Sequence, residues 1–143
     1  MRYLTPHFTL DELVYTDHRQ FDNTPPPEVL PNLMRLANLL EQVRVVVGAK
    51  PIIVNSGYRS AEVNAAVGSK PTSQHRKGCA ADIRVPGMTP DDVVHAILRS
   101  GIVFDQLIKE FDRWTHISVP NEESDAARKM ALIIDSSGTR LFA

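Results

Sequence analysis

After the consecutive prolines Pro25, Pro26 and Pro27, apolar residues recur at spacings of three and four: Val29, Leu30, Leu33, Leu36, Ala37, Leu40 and Val43. That period specifies one amphipathic helix over about 27–47, ending near Gly48. It is the clearest helix in the chain, and its apolar stripe needs a second layer to pack on. The other segments say what that layer is. Ile52–Val54, about 79–85, "FDQLIKEF", "THISV" and "MALIID" read as short strands, the last of these closing the fold. Three shorter helices are capped. Thr9 and Glu12 form a capping-box pattern for 10–15, and Ser60 precedes "AEVNAAV" with Gly68 as its stop. Thr89, Pro90 and Gly101 bound a helix at the start, the first helical position and the end. With few βαβ crossovers, these elements predict an α+β fold: a small antiparallel sheet with flanking helices.

The 143 residues fit one domain, 1–143, with a core over about 10–135 and a C-terminal tail at 136–143. The proline-rich "HRQFDNTPPPEVL" is a connection rather than a linker, because too little chain precedes it to form a core. A net charge of −1 gives no global field for nucleic acid or an anionic membrane. The single cysteine, Cys79, excludes an internal disulfide and a Cys-rich zinc site. The first residues carry no continuous apolar run, so no secretory signal and no membrane insertion are expected. The expectation is synthesis in the cytoplasm, with delivery by other means if the substrate lies outside.

Candidate chemistry begins at Ser73–Ile83, "SQHRKGCAADI". His75 lies in a loop and Asp82 in the strand that follows, with small residues between that let the chain turn back. His116, from the second strand of the expected hairpin, completes a possible metal-ligand set of two imidazoles and a carboxylate. One Zn²⁺ held by three such ligands keeps a position open for water. If Glu110 faces His116 across the hairpin, a carboxylate stands on the same sheet face beside the ion, where metal-assisted hydrolysis needs a base. Spacing alone leaves other readings open. Asp82 can be a strand-end hydrogen-bond acceptor, His116 and Glu110 polar strand residues, and two His with one carboxylate also describe the facial triad of non-haem iron enzymes. His7, His18 and His95 read as surface or hydrogen-bonded residues.

"SQHRKGCAADI" resembles the S-x-H-x-x-G-x-A-x-D motif of the zinc D-Ala-D-Ala carboxypeptidase family. That superfamily also contains bacterial and phage peptidoglycan peptidases and the metal-binding signalling domain of hedgehog proteins. The likeness continues in "SGYRS" and "FDQLIKEFDRWTHIS", covers roughly Leu10–Val119, and is similar in spacing to the short phage members. It implies His75, Asp82 and His116 as zinc ligands and Glu110 as the catalytic carboxylate. Some relatives place an acid three residues before the last ligand. Here that position is Arg113, and Asp112 stays as a rival base. The resemblance further implies that Arg59 binds the substrate carbonyl and stabilises the oxyanion. For Ser73 it leaves both substrate binding and a turn role; for Trp114, a cleft wall or a packed core.

The function expected from this resemblance is zinc-dependent hydrolysis of peptide bonds in peptidoglycan stems, by a carboxypeptidase or endopeptidase, as in a phage endolysin. The alternative is a non-catalytic zinc-containing binding module or phage structural module on the same fold. The partner is then the peptide stem of the cell wall, reached after release or as a phage particle component. The oligomeric state is open.

Overall fold

A computed structural model describes residues 2–142. Strands β1 (Tyr3–Thr5) and β2 (Phe8–Thr9) pair ahead of helix α1 (Leu10–Leu13). Thr9 caps that helix reciprocally: its Oγ1 accepts from the Glu12 N–H at 3.2 Å, and the Glu12 carboxylate accepts from the Thr9 N–H at 3.0 Å. A 3-10 turn at Pro27–Val29 runs into α2 (Leu30–Val46), whose buried residues include Leu33, Leu36, Ala37, Leu40 and Val43. Then follow β3 (Ile53–Ser56), α3 (Ala61–Ala66), a 3-10 turn at Gln74–Lys77, β4 (Ala80–Arg84) and α4 (Pro90–Ser100). The chain finishes with β5 (Gln106–Glu110), β6 (Trp114–Ser118), β7 (Met130–Asp135) and β8 (Gly138–Leu141). Thr89 caps α4, Pro90 opens it, and Gly101 closes it with a φ of 77°.

The six-stranded sheet has the order β3-β4-β6-β5-β7-β8. Its neighbours are antiparallel except β5 and β7, which run parallel. The predicted antiparallel sheet is therefore mixed at one seam. Strand β6 returns the chain to the start of β5, and the 119–129 crossover then carries it past that end to begin β7 on the other side. Side chains alternate across a strand. Ala81, Ile83, Leu107 and Ile117 consequently face one way, into a cluster with Leu33, Leu36 and Leu40 of α2 and Val93, Val94 and Ile97 of α4. The other face carries Asp82, Ile108, Glu110 and His116.

Two boundaries differ from expectation. Leu4 and Phe8 are buried, so the core starts before residue 10. The expected tail at 136–143 instead contains β8, paired to β7 with Ile134 opposite Thr139, so "MALIID" is not the last strand. All four β8 residues are exposed. Without a buried face this edge strand has no period-2 pattern to read. The irregular stretch before Pro25 is held by Asn23, whose Nδ2 donates to Val14 O and Tyr58 O while its Oδ1 accepts from the Ser60 N–H. No helix among the described residues is long and apolar enough to cross a membrane.

Candidate metal centre

His75 sits in the turn between α3 and β4. Ser73 caps that turn by accepting the His75 N–H at 3.2 Å, and Gly78 ends it with a φ of 73°. A Cβ on Gly78 would stand 2.6 Å from Val29 Cγ1 and 3.1 Å from Leu33 Cγ of α2, so glycine lets the turn pack closely on the start of that helix. The His75 Nδ1–H donates to Gly57 O at 2.7 Å. A carbonyl can only accept, so this bond sets the tautomer and leaves Nε2 with its lone pair toward Asp82. Gly57 is equally constrained, since a Cβ there would lie 2.3 Å from Leu13 O.

Asp82 and His116 are direct cross-strand partners on β4 and β6. His75 Nε2 lies 3.4 Å from Asp82 Oδ2, and His116 Nδ1 lies 3.0 Å from Asp82 Oδ1. One ligating atom from each residue falls within 4.8 Å of the others. Donors at about 2.0–2.1 Å from a tetrahedral ion are roughly 3.3 Å apart, so these separations fit one small divalent cation. All three side chains are buried. Burial works to raise the Asp82 pKa, but His75 and His116 outweigh it and hold the carboxyl well below its usual range. Burial pushes His75 below its ordinary value. An ionised carboxylate and a neutral imidazole are the states a metal requires.

Glu110 does not face His116. Trp114 is its cross-strand partner, and His116 stands opposite Ile108. The tight connection expected at Asp112–Trp114 comes one residue earlier, because Phe111 and Asp112, with φ of 51° and 54°, turn the chain within residues 111–113. The correction shifts the pairing by two residues, which preserves the face. Glu110 is thus diagonal to His116, with Oε1 3.8 Å from its Nδ1, while Oε2 accepts the Trp114 Nε1–H at 3.1 Å. Burial, and then the Asp82 charge, push the Glu110 pKa up. Asp112, the rival carboxylate, is exposed and lies 3.7 Å from Lys109 Nζ, which also reaches Asp91 of α4 at 3.4 Å. It lies away from the centre.

Arg59 is mostly buried; its Nη2 stands 3.3 Å from Asp82 Oδ2 and its Nε donates to Ser56 Oγ at 3.0 Å. A cleft of about 510 Å³ is lined by Arg59, Ser73, His75, Asp82, Glu110, Trp114 and His116 together. It is also lined by Thr16, Asp17 and His18. No local signal marks that loop as a cleft wall, because the Asn23 contacts that position it are long-range. His7 and His95 are surface residues paired with Glu41 at 2.8 Å and Asp91 at 3.3 Å, in line with the reading from sequence.

Comparison with known proteins agrees with this geometry. A family model described as Peptidase M15 matches residues 6–118, most of the chain and every residue of the cleft. No curated protein matches the sequence. The chain belongs to the Peptidase M15 family, and so to enzymes that hydrolyse peptide bonds.

Proposed function

We propose that the protein is a zinc peptidase acting on the peptide stems of peptidoglycan, with His75, Asp82 and His116 as the ligands. The observation that carries this reading is the convergence of those three donors, with the Glu110 carboxylate 3.8 Å from His116 on the same sheet face. A zinc ion held there supplies Lewis acidity, making water acidic near neutral pH and polarising a carbonyl.

The remaining work falls to the chain. Glu110 takes a proton from the attacking water as the O–C bond forms, and gives it to the leaving amine as the C–N bond breaks. Its raised pKa suits both roles, because an acid–base group works best near the operating pH. The Trp114 N–H occupies Oε2 and leaves Oε1 turned toward the centre. Trp114 therefore positions the base as well as walling the cleft. Arg59 supplies fixed positive charge where the carbonyl oxygen becomes negative, a contribution of about 10²–10³ in rate for one such donor. Ser73 Oγ accepts from the backbone and keeps its own O–H free to donate to substrate.

The test is incubation of the purified protein with peptidoglycan, with and without chelator, and mass spectrometry of the fragments. Zinc-dependent release of stem peptides is expected. A protein that binds zinc tightly and cleaves no bond in the wall would be a binding module instead.

A further inference from the structure

The metal-bearing turn at Gln74–Lys77 is a short 3-10 turn, a form with poor hydrogen-bond geometry and little stability of its own. What holds it comes from outside. On one side the His75 ring donates to Gly57 O, and the Arg59 N–H donates to His75 O at 2.9 Å. Both partners lie on the segment between β3 and α3. On the other side the hold is Gln74. Its Nε2 stands 3.0 Å from each of three acceptors: Asp105 Oδ2, Val119 O and Asn121 Oδ1. Asp105 directly precedes β5, and Val119 and Asn121 begin the 119–129 crossover, so one amide joins the turn to both.

Three acceptors around one nitrogen settle which way the amide faces, because an oxygen there would be repelled by all of them. Gln74 Oε1 is left buried with no hydrogen-bond partner. An unpaired buried acceptor is unfavourable, so the amide is committed to its nitrogen contacts. The acceptors are themselves fixed. Arg128 donates to the buried Asp105 from Nε, Nη2 and its backbone N–H, and Arg35 of α2 donates to Asn121 O at 3.4 Å. One peptide bond separates Gln74 from His75. With the Gly57 side intact, a turn freed of Gln74 pivots about that side, and His75 Nε2 moves relative to the donors of Asp82 and His116.

We infer that Gln74 is a positioning residue for the metal ligand: its amide braces the turn against Asp105 and the crossover, and so keeps the His75 imidazole where the three donors converge. It acts through His75 rather than on the ion. The inference rests on the ligand assignment above and is read on the metal. The full chain, Gln74→Met, Gln74→Asn and Arg128→Ala are titrated with zinc against a chromophoric chelator, and the cobalt-loaded proteins are compared by visible absorption. Gln74→Met removes the amide at similar length. Gln74→Asn keeps an amide in the polar cluster but reaches one methylene less far. Both are expected to bind zinc about 10–100-fold more weakly, as when other groups that orient a ligand are lost, and to show cobalt bands shifted from those of the parent. Arg128→Ala removes an ion pair from the same cluster and leaves all three acceptors of Gln74 in place. It is expected to melt lower and bind zinc like the parent. Parental zinc affinity in either Gln74 variant overturns the inference. A loss in Arg128→Ala equal to theirs also overturns it, because the effect is then a general loosening of the fold. A parent that binds no zinc removes the ligand assignment and the inference together, whereas a parent that binds zinc and cleaves no wall removes the peptidase reading alone.

Discussion

Gly57→Ala tests how the fold sets the metal ligand. The added Cβ would meet Leu13 O at 2.3 Å and Leu13 C at 3.0 Å, where ordinary contact begins at 3.4 Å. Both clashing atoms are backbone, so no side chain can rotate away and the two segments must separate by about 1 Å. Overpacking of this kind costs about 1–3 kcal/mol. The Tyr58 N–H bond to Leu13 O, 2.7 Å long, is strained by the same movement and is worth about 1 kcal/mol. Together these predict a metal-free melting temperature lower by about 6–15 °C. The movement also carries Gly57 O away from the His75 Nδ1–H, and loss of such an orienting bond weakens metal binding about 10–100-fold. Competition titration against a chromophoric zinc chelator measures that second effect separately. Gly87→Ala is the control. Gly87 has a φ of 86° with nothing within 4 Å of the added Cβ, so it loses about 1–2 kcal/mol without touching the site. A Gly57→Ala protein that melts lower but binds zinc like the parent would refute the claim that the Gly57 carbonyl orients His75.

Glu110→Ala should keep its zinc and lose about 10²–10⁴ in turnover, whereas His116→Ala should lose both; metal analysis and peptide release read the two, and full activity in Glu110→Ala would move the base elsewhere. Trp114→Phe, which removes the Nε1–H that holds Glu110 Oε2, should lower kcat more than it raises KM, and a loss confined to KM would leave Trp114 as a wall only. Asp105 gives a pH test at a carboxylate that is not one of the metal ligands. Burial opposes its ionisation, but the Arg128 hydrogen bonds prevail and hold its pKa below the ordinary value. Its contribution is then present above about pH 4 and lost as pH falls through the lower folded value. Asp105→Asn should be less stable at neutral pH yet lose less on going from about pH 4 to 2, as read by urea unfolding across that range; parallel curves for the two proteins would remove Asp105 from the acid response.

What the sequence made legible follows the range of the forces involved. Helices α1 and α4 are set by side chains three residues from the N–H groups they cap, Thr9 with Glu12 and Thr89 with Asp92, so a short window holds the whole cause. His75 and Asp82 are brought together by one turn and one strand entry, again a local event. The mixed seam and the β8 edge depend on where the 119–129 crossover sets β7 down, and no short window of sequence encodes that landing. It is fixed by Arg128 reaching Asp105, a contact made 23 residues away.

The β5–β6 hairpin shows why an error in register did not become an error in chemistry. Pairing Glu110 with His116 places a tight turn at Asp112–Trp114; the chain instead turns one residue earlier, on Phe111 and Asp112, both at positive φ and neither glycine. Such turns are announced by Gly or Asn, so this one leaves no signature. Yet the misplacement is two residues, and the period of a strand is also two. Glu110, Trp114 and His116 therefore stay on one face under either register. What changes is which group Glu110 meets: an indole N–H that holds one oxygen, instead of an imidazole directly opposite. A one-residue slip would have sent Lys109 toward the metal and Glu110 toward α4. The parity of the strand, more than its exact pairing, is what brings a carboxylate to the ion, and the tight turn then adds the indole that aims it.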